Sequence, residues 1–137
     1  MSHCRFSHYI LFTLCLTLAT ACPTGKVIPV DPPISITAES LASAYFEDEQ
    51  AAHRKYSGKS LVVTGTIKSL LITNQGNRGI NFVVDDTQRL LSVICVVDDR
   101  QKEAFEKLKE GQQVTVEGTC DDLLLGASIL LGNCSIK

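Results

Sequence analysis

The sequence contains no tryptophan, one methionine and few aromatic residues, which make up 6% of its 137 residues. It also lacks an excess of charge of either sign, because 13 basic residues stand against 15 acidic ones. This balance disfavours a dedicated binder of polyanions, since phosphate recognition depends on a clustered positive surface. Hydrophobic residues at 45% and charged residues at 20% fit one globular domain rather than a disordered chain.

The N-terminal segment is short and almost uncharged. Arg5 precedes an apolar or hydroxylic stretch from Ile10 to Ala19. A basic start followed by about 10 apolar residues is typical of a secretory signal peptide, whereas a membrane-spanning helix needs about 20. A buried N-terminal helix is the alternative, which the proline-rich segment that follows disfavours. We therefore predict a signal peptide over residues 1–21.

A cysteine follows the predicted cleavage site. Ala19 and Ala21 form the small-x-small pattern that a signal peptidase accepts, and Cys22 comes next. The segment from Leu18 to Cys22 resembles a bacterial lipobox, which implies that Cys22 is acylated and becomes the first residue of the mature chain. Acyl chains on one cysteine would anchor the protein in a membrane. Ordinary cleavage, with Cys22 left as a thiol or in a disulfide, remains the alternative.

All four prolines lie between residues 23 and 33. Proline-rich segments are extended spacers of about 3.1 Å per residue. We therefore predict a tether over residues 22–35, which begins with the lipidated Cys22, and a folded domain over residues 36–137. Removal of residues 1–21 takes away Arg5 alone among the charged residues, which leaves 12 basic against 15 acidic residues.

Two segments have helical periodicity. Apolar residues recur every three or four positions from Thr37 to Tyr56, with Asp48 as the polar exception, and predict one amphipathic helix that Thr37 caps and Gly58 ends. A second helix is predicted from Arg100 to Lys109, with Ala104, Phe105 and Leu108 as its apolar stripe. Asp98 or Asp99 caps this second helix, and Gly111 ends it.

Between and after these helices the apolar residues alternate with a period of two, which indicates strands. The predicted strands are Ser60–Leu70, Ile80–Val84, Leu91–Val97, Gln113–Cys120 and Leu125–Ile136. Gly65, inside the first strand, marks a bend such as a barrel corner. This order predicts a mainly-β fold, a five-stranded Greek-key barrel of the OB type, with an N-terminal helix and a helix between strands 3 and 4. An open α+β sheet with both helices on one face is the alternative.

Structural glycines and core positions follow one another in a recognisable order along the domain. They are Ala51, Ala52, Tyr56, Gly58, Lys59, Val62, Val63, Thr64, Gly65, Val93, Cys95, Gly111, Gln112, Val114, Thr115, Val116, Gly118, Cys120, Leu131, Cys134 and Ile136. In this pattern the chain from Thr37 to Ile136 resembles the tRNA_anti-like family of small bacterial OB-fold proteins. The resemblance implies an OB-fold and an exported or membrane-attached protein, and it does not establish tRNA binding.

Three cysteines remain in the predicted domain, Cys95, Cys120 and Cys134, an odd number for an oxidising compartment. Strands 3 and 5 of the barrel are neighbours and parallel, so Cys95 and Cys134 could reach the Cα separation of roughly 4.4–6.8 Å that a disulfide needs. Cys120 is expected to face a residue near Ser128, about six residues from Cys134 and too far to bridge. We favour a Cys95–Cys134 disulfide, while a Cys120–Cys134 disulfide and three reduced thiols stay open.

Residues for catalysis or metal binding are scarce. His53 is the one histidine after residue 21, and no Cys-x-x-Cys motif is present, so we expect neither a metal site nor a Cys–His or Ser–His pair. The acidic pairs Asp85-Asp86, Asp98-Asp99 and Asp121-Asp122 could suggest Ca²⁺ ligands or paired catalytic carboxylates. Each pair follows a predicted strand, so we interpret them as turns and helix caps. We expect no cofactor and no enzymatic activity.

The loop between the first two strands is the candidate binding site. It contains Asn74, Gln75, Asn77 and Arg78, is polar and glycine-containing, and joins strands whose loop OB-folds often use for ligands. A long hairpin turn without ligand is the alternative.

Nucleic acid would need aromatic residues beside basic ones on the barrel surface. Phe82 is the one aromatic residue on a predicted strand, and its alternation places it in the core, while the basic residues Lys59, Lys68, Arg78 and Arg89 are scattered. We therefore do not expect nucleic acid as a partner, although a nucleic-acid-binding OB domain is the alternative function. We expect a non-catalytic lipoprotein of the bacterial cell envelope, at the periplasmic face or in the outer membrane. Its lipid anchor holds it to the membrane, and it binds another envelope protein or a small ligand.

Overall fold

The computed structural model describes residues 31–84, 91–124 and 126–137. Strand β1 (Ile34–Thr37) precedes two helices, α1 (Ala38–Glu47) and α2 (Glu49–Tyr56). The strands β2 (Ser60–Ile72), β3 (Arg78–Phe82) and β4 (Ser92–Val97) follow. A 3-10 turn (Asp99–Gln101) and α3 (Lys102–Glu106) then lead to β5 (Gln113–Leu124) and β6 (Ser128–Ile136).

Strands β2 to β6 form a closed barrel. The order of neighbours is β1-β2-β3-β4-β6-β5, and β5 returns to pair with the first half of β2. All neighbours are antiparallel except β4 with β6 and β1 with β2, which are parallel. The predicted five-stranded OB-fold, with helix before the first barrel strand and between the third and fourth, is therefore confirmed. The pairing of β2 with β5 excludes the open sheet.

The core fills the barrel with the inward face of each strand. Glycine is needed at position 65 of β2, because a Cβ atom there would lie 2.8 Å from Phe82 Cδ1 and 3.0 Å from Ala38 Cβ. The glycine thus allows β3 and α1 to pack against the same point of β2. The largest fully buried side chains are Phe82, Leu41, Leu61, Ile67, Ile80, Ile129 and Leu131.

The predicted single helix from Thr37 to Tyr56 is wrong, because the chain forms two helices that meet at Asp48. The Asp48 N–H donates to the Ala44 carbonyl oxygen at 3.2 Å, so this residue ends α1. Its carboxylate Oδ1 accepts from the Ala51 N–H at 2.9 Å, so it also begins α2. A short acidic side chain competes with the helix backbone for hydrogen bonds, and here it redirects the chain.

Strand β1 was not predicted. Ile34 pairs with Leu61 and Thr37 with Thr64, parallel to β2, so the sheet begins two residues before the predicted domain boundary at residue 36. Thr37 is both the last residue of β1 and the cap of α1, since its Oγ1 accepts from the Ser40 N–H at 3.1 Å. The segment has period-two alternation, but it is only four residues long and directly follows prolines.

Two further boundaries differ from the prediction. The helix after β4 is a 3-10 turn and a five-residue α-helix instead of one helix from Arg100 to Lys109. Asp98 does cap this segment as predicted, because its Oδ1 accepts from the Arg100 N–H at 2.9 Å. Asp121-Asp122 is not a turn, since β5 continues through it to Leu124.

A bulge explains the error at Asp121-Asp122. The register of β5 against β6 shifts between Cys120 and Leu123, and Cys120 faces Leu131, three residues from the predicted position near Ser128. Tertiary pairing with β6 thus overrides the turn preference of the two aspartates. The third acidic pair, Asp85-Asp86, lies outside the described residues.

Cys95 and Cys134 form a disulfide with their Cα atoms 6.1 Å apart. The pairing of β4 with β6 shifts between Cys95–Leu131 and Val97–Cys134, where Asn133 adopts a φ of 51°. This additional residue in β6 returns Cys134 to the inward face, which strict alternation would not do. Gly118 of β5 makes room for the sulfur, because a Cβ atom there would lie 2.6 Å from Cys134 Sγ.

Cys120 lies outside this bridge. It is buried, and its Sγ is 3.6 Å from Tyr45 Oη of α1. It therefore serves as a small core residue at the contact between the helices and β5.

We expect the double substitution Cys95→Ala and Cys134→Ala to lower the free energy of unfolding by about 3–4 kcal/mol, because the bridge closes a loop of nearly 40 residues in the unfolded chain. The measurement is urea denaturation with and without reductant. Cys120→Ala is the control and should keep the full reductant effect. A reductant effect that disappears in Cys120→Ala would contradict the observed pairing.

The guanidinium of Arg100 holds the pKa of Asp98 at about 2, below its ordinary 3.8, mainly through side-chain hydrogen bonds of 3.0 and 2.7 Å. A depressed folded pKa means that Asp98 contributes stability above pH 3.8, which is lost as the pH falls towards 2. We expect a carboxyl NMR titration of Asp98 with its midpoint near 2. Arg100→Gln should move the midpoint up towards 3.8, whereas Lys102→Gln should leave it unchanged. An unmoved midpoint in Arg100→Gln would refute this cause.

Candidate ligand-binding face

The outward side chains of four neighbouring strands form an apolar surface on the barrel. We call it the outer face and define it by Leu71 of β2, Gly79 and Asn81 of β3, Ile94 and Val96 of β4, and Leu130 of β6. On β3, β4 and β6 these residues alternate with buried core residues, such as Ile80 between Gly79 and Asn81. Leu71 instead lies between the partly buried Leu70 and the exposed Ile72. Leu71 is 39% exposed, and Ile94, Val96 and Leu130 are partly buried. The barrel thus has apolar side chains on both sides of β4.

Gly79 forms the floor of this face. It pairs with Leu71 on one side and with Val96 on the other. A Cβ atom at Gly79 would lie 3.5 Å from Leu71 Cβ and 3.8 Å from Ile94 Cγ2, which are ordinary van der Waals distances. The absence of a side chain there leaves a shallow apolar depression between Leu71 and Ile94. This depression can accept an apolar group of a partner.

The face has one polar group near its centre. Asn81 lies opposite Ser69 and Ile94 in the ladder, and its Nδ2 donates to Ser69 Oγ at 3.4 Å. Its Oδ1 is buried and accepts no hydrogen bond within the part of the chain that the structure describes. A buried acceptor without a donor costs about 1–3 kcal/mol.

The predicted binding loop lies at one end of this face. Asn74, Gln75 and Asn77 are exposed, as a ligand-binding role requires. The loop is a tight hairpin turn whose backbone is held by its own hydrogen bonds. Thr73 N–H donates to the Asn77 carbonyl oxygen at 2.9 Å, and Asn77 N–H donates to Thr73 Oγ1 at 3.1 Å. The positive φ of Gly76, 85°, permits this tight reversal.

Arg78 is held by its own neighbours. Its side chain is 17% exposed, its Nη1 lies 3.7 Å from Asp99 Oδ1, and the same nitrogen donates to the Gly76 carbonyl oxygen at 3.3 Å. The guanidinium therefore ties the hairpin to the turn after β4. Of the four predicted loop residues, the three uncharged ones are open to solvent and the charged one is engaged.

The remaining predicted site residues are apart from the outer face. Cys22 lies outside the described residues. The Cys95–Cys134 bridge lies in the core, and His53 is exposed on α2. Over residues 31–84, 91–124 and 126–137 no three His, Cys, Asp or Glu side chains are close enough to hold a metal ion. In that same part of the chain, no helix is both long and apolar enough to cross a membrane.

Sequence reasoning missed the outer face, although one signal pointed to it. The segment from Val93 to Val97 is apolar at every position, and a run of that kind is typical of a strand covered on both sides. In a small barrel only one side of a strand faces the core, so the outward residues Ile94 and Val96 had to lie at the surface or against another element. The missing side chain at Gly79 gave no comparable signal, because the residues that surround it depend on the register of β3 with β2 and β4.

Comparison with known proteins supports the fold. The family model tRNA_anti-like matches residues 9–136. A crystal structure of a Klebsiella pneumoniae protein, provisionally named a nucleic acid-binding lipoprotein, superposes with a TM-score of 0.59 at 15% identity. The superposition covers 75% of this chain and 92% of the other. Our expectation that nucleic acid is not a partner gains no support from the name of this neighbour. No curated protein sequence matches the chain.

More distant structures share parts of the fold. The yeast Stn1 and Ten1 structure gives a TM-score of 0.43 at 11% identity, over 78% of this chain and 64% of the other. An OBody bound to hen egg-white lysozyme gives 0.43 at 19% identity, over 61% of this chain and 83% of the other. Neither is similar enough to carry an argument. The family match spans nearly the whole chain, and the barrel has the expected topology, so this chain belongs to the tRNA_anti-like family.

Proposed function

We propose that this chain is a non-catalytic binding module of the bacterial cell envelope, held at a membrane through an acylated Cys22. Its outer face and the Thr73–Asn77 loop bind a protein partner. The observation that carries this proposal is the apolar depression above Gly79, flanked by Leu71 and Ile94. Apolar surface of this kind is stabilised when a partner removes it from water.

The chemistry of the face favours binding over catalysis. Its one polar group is the amide of Asn81, which is hydrogen-bonded to the hydroxyl of the neighbouring Ser69. Neither an amide nor an unassisted hydroxyl ionises near neutral pH, whereas catalysis needs a general acid or base or an activated nucleophile. The imidazole of His53 lies on α2, apart from the face.

The envelope location rests on two features. The segment up to Cys22 has the pattern of a lipoprotein signal, and the Klebsiella neighbour is also named a lipoprotein. The Cys95–Cys134 bridge is compatible with an oxidising compartment, where disulfides persist.

Nucleic acid is the second candidate partner, because the Klebsiella neighbour carries that provisional name. Single strands bind to OB-folds through aromatic stacking beside a positive groove. The outer face has no aromatic side chain, and Arg78 at its edge is ion-paired with Asp99. These contacts favour a protein partner over a nucleic acid.

The outer face can be tested by placing a charge on its floor. Gly79→Glu should reduce retention of partners from detergent-solubilised envelope at least tenfold, because a carboxylate would be buried against Leu71 and Ile94. Quantitative mass spectrometry of the retained proteins measures the effect. Gly79→Ala is the matched control and should reduce retention far less, since its methyl group is apolar and meets only ordinary contacts. Equal retention by Gly79→Glu would refute the face as the binding site.

Tight, salt-sensitive binding of a single-stranded oligonucleotide would favour the second candidate.

The anchor has its own test. Intact-mass analysis of protein from its native host should show a chain that begins at Cys22 and carries acyl groups. Cys22→Ser should release the protein into the soluble fraction, because acyl chains contribute about 0.8 kcal/mol per buried CH₂ group to membrane binding. A mutant that still sediments with membranes would contradict the anchor.

A further inference from the structure

We propose that Arg54, Lys55 and Lys59 form a membrane-facing patch that rests on anionic lipid headgroups beside the anchor. We call these three residues the basic patch. The inference builds on the proposed anchoring through Cys22. It adds a surface, a partner chemistry and an orientation of the domain that the anchor alone does not give.

The basic patch lies where α2 ends. Arg54 and Lys55 are in the last turn of α2, and Lys59 follows four residues after Lys55. All three are exposed. Lys55 Nζ lies 5.0 Å from the centre of the Tyr56 ring, which supports its side chain against the buried tyrosine.

The described chain begins next to this patch. Asp31, Pro32 and Ile34 line a shallow cavity of about 370 Å³ together with Gly58, Lys59 and Ser60. Lys59 therefore flanks the point where the chain from Cys22 joins the domain. Asp31 lies nine positions after Cys22, so even a fully extended segment between them spans at most about 30 Å. An anchor at Cys22 thus keeps this side of the barrel within about 30 Å of the bilayer.

The charges of the basic patch are available to a partner. Within the ranges that the structure describes, Arg54, Lys55 and Lys59 take part in no ion pair. Acidic groups nearby are Asp31, in the same cavity as Lys59, and Asp121, whose carbonyl oxygen accepts from Ser57 Oγ at 3.3 Å. Glu49, in the first turn of α2, lines a shallow cavity together with Arg54. Acidic groups thus lie beside both ends of the basic patch, but none of them forms an ion pair with its three cations in the described part of the chain.

An anionic bilayer is the partner that fits this arrangement. A lysine or arginine held near a membrane that contains anionic lipid strengthens binding about fivefold per residue. The anchor would keep the local concentration of lipid headgroups around the basic patch high. The patch itself could then bind each headgroup weakly and still stay in contact with the bilayer. The Thr73–Asn77 loop lies at the other end of β2 from Ser60, so the same orientation leaves the loop directed away from the bilayer.

Amine labelling of the acylated full-length chain tests the proposal. The chain is reconstituted into phosphatidylcholine vesicles with or without phosphatidylglycerol, and Lys55, Lys59, Lys102 and Lys107 are modified by a water-soluble reagent. We expect labelling of Lys55 and Lys59 to slow several-fold only with phosphatidylglycerol, and to recover at high salt, because salt screens exposed charges. Lys102 and Lys107 on and after α3 should be labelled equally in both vesicles.

A matched pair of charge reversals sharpens the test. Arg54→Glu should remove most of the several-fold protection of Lys55 and Lys59, whereas Lys102→Glu should leave it unchanged. Circular dichroism checks that both variants remain folded.

The remaining outcomes contradict the proposal, and they show whether the basic patch or the anchor is at fault. Equal labelling in both vesicles, by a chain that carries acyl groups and sediments with them, overturns the basic patch and leaves the anchor intact. A chain without acyl groups overturns both. Protection of Lys55 and Lys59 by a single-stranded oligonucleotide to the same extent as by phosphatidylglycerol would make the patch a general polyanion site instead.

Discussion

The closure of the barrel depends on one strand, β2, which pairs along its length with three partners. Its first half lies between β1 and β5, and its second half pairs with β3. The partner changes after Thr66, and the register with β3 then shifts between Ile67 and Ser69. Gly65 lies just before this change, where a side chain would collide with Phe82 and Ala38. Closure then removes the free sheet edges of the five strands and divides every strand into an inward and an outward face. Both the core and the outer face follow from this division.

Much of the fold could be predicted because local signals and tertiary demands agree. The strand alternation of β2 and β5 survives in the structure, and so do the caps at Thr37 and Asp98. Two of the errors occur at aspartates, whose side chains serve several local structures equally well. Asp48 separates two helices, while Asp121 continues a strand through a bulge. Which outcome prevails depends on the partner strand or helix, and that information lies far away in sequence.

The candidate site likewise has one part that the sequence predicts and one part that only the structure shows. The loop with Asn74, Gln75 and Asn77 could be predicted, because turn residues between two strands are a local signal. The depression above Gly79 could not, because it needs Leu71, Gly79 and Ile94 from three strands to be in register. The favoured pairing of Cys95 with Cys134 came from the neighbourhood of strands in the barrel. The bulge at Asn133 that turns Cys134 inward is visible only in the structure.

The two proposed surfaces suit a tethered module because β2 separates them. The basic patch is beside Ser60, where β2 begins, and the hairpin that limits the outer face follows Ile72, where β2 ends. A long spacer would let the domain rotate freely, so its orientation would depend on weak contacts alone. The nine positions from Cys22 to Asp31 allow a reach of at most about 30 Å, so under the proposed anchoring the contacts of the basic patch would select one orientation. In that arrangement, the direction in which the outer face meets a partner would depend on the lipid composition under the domain.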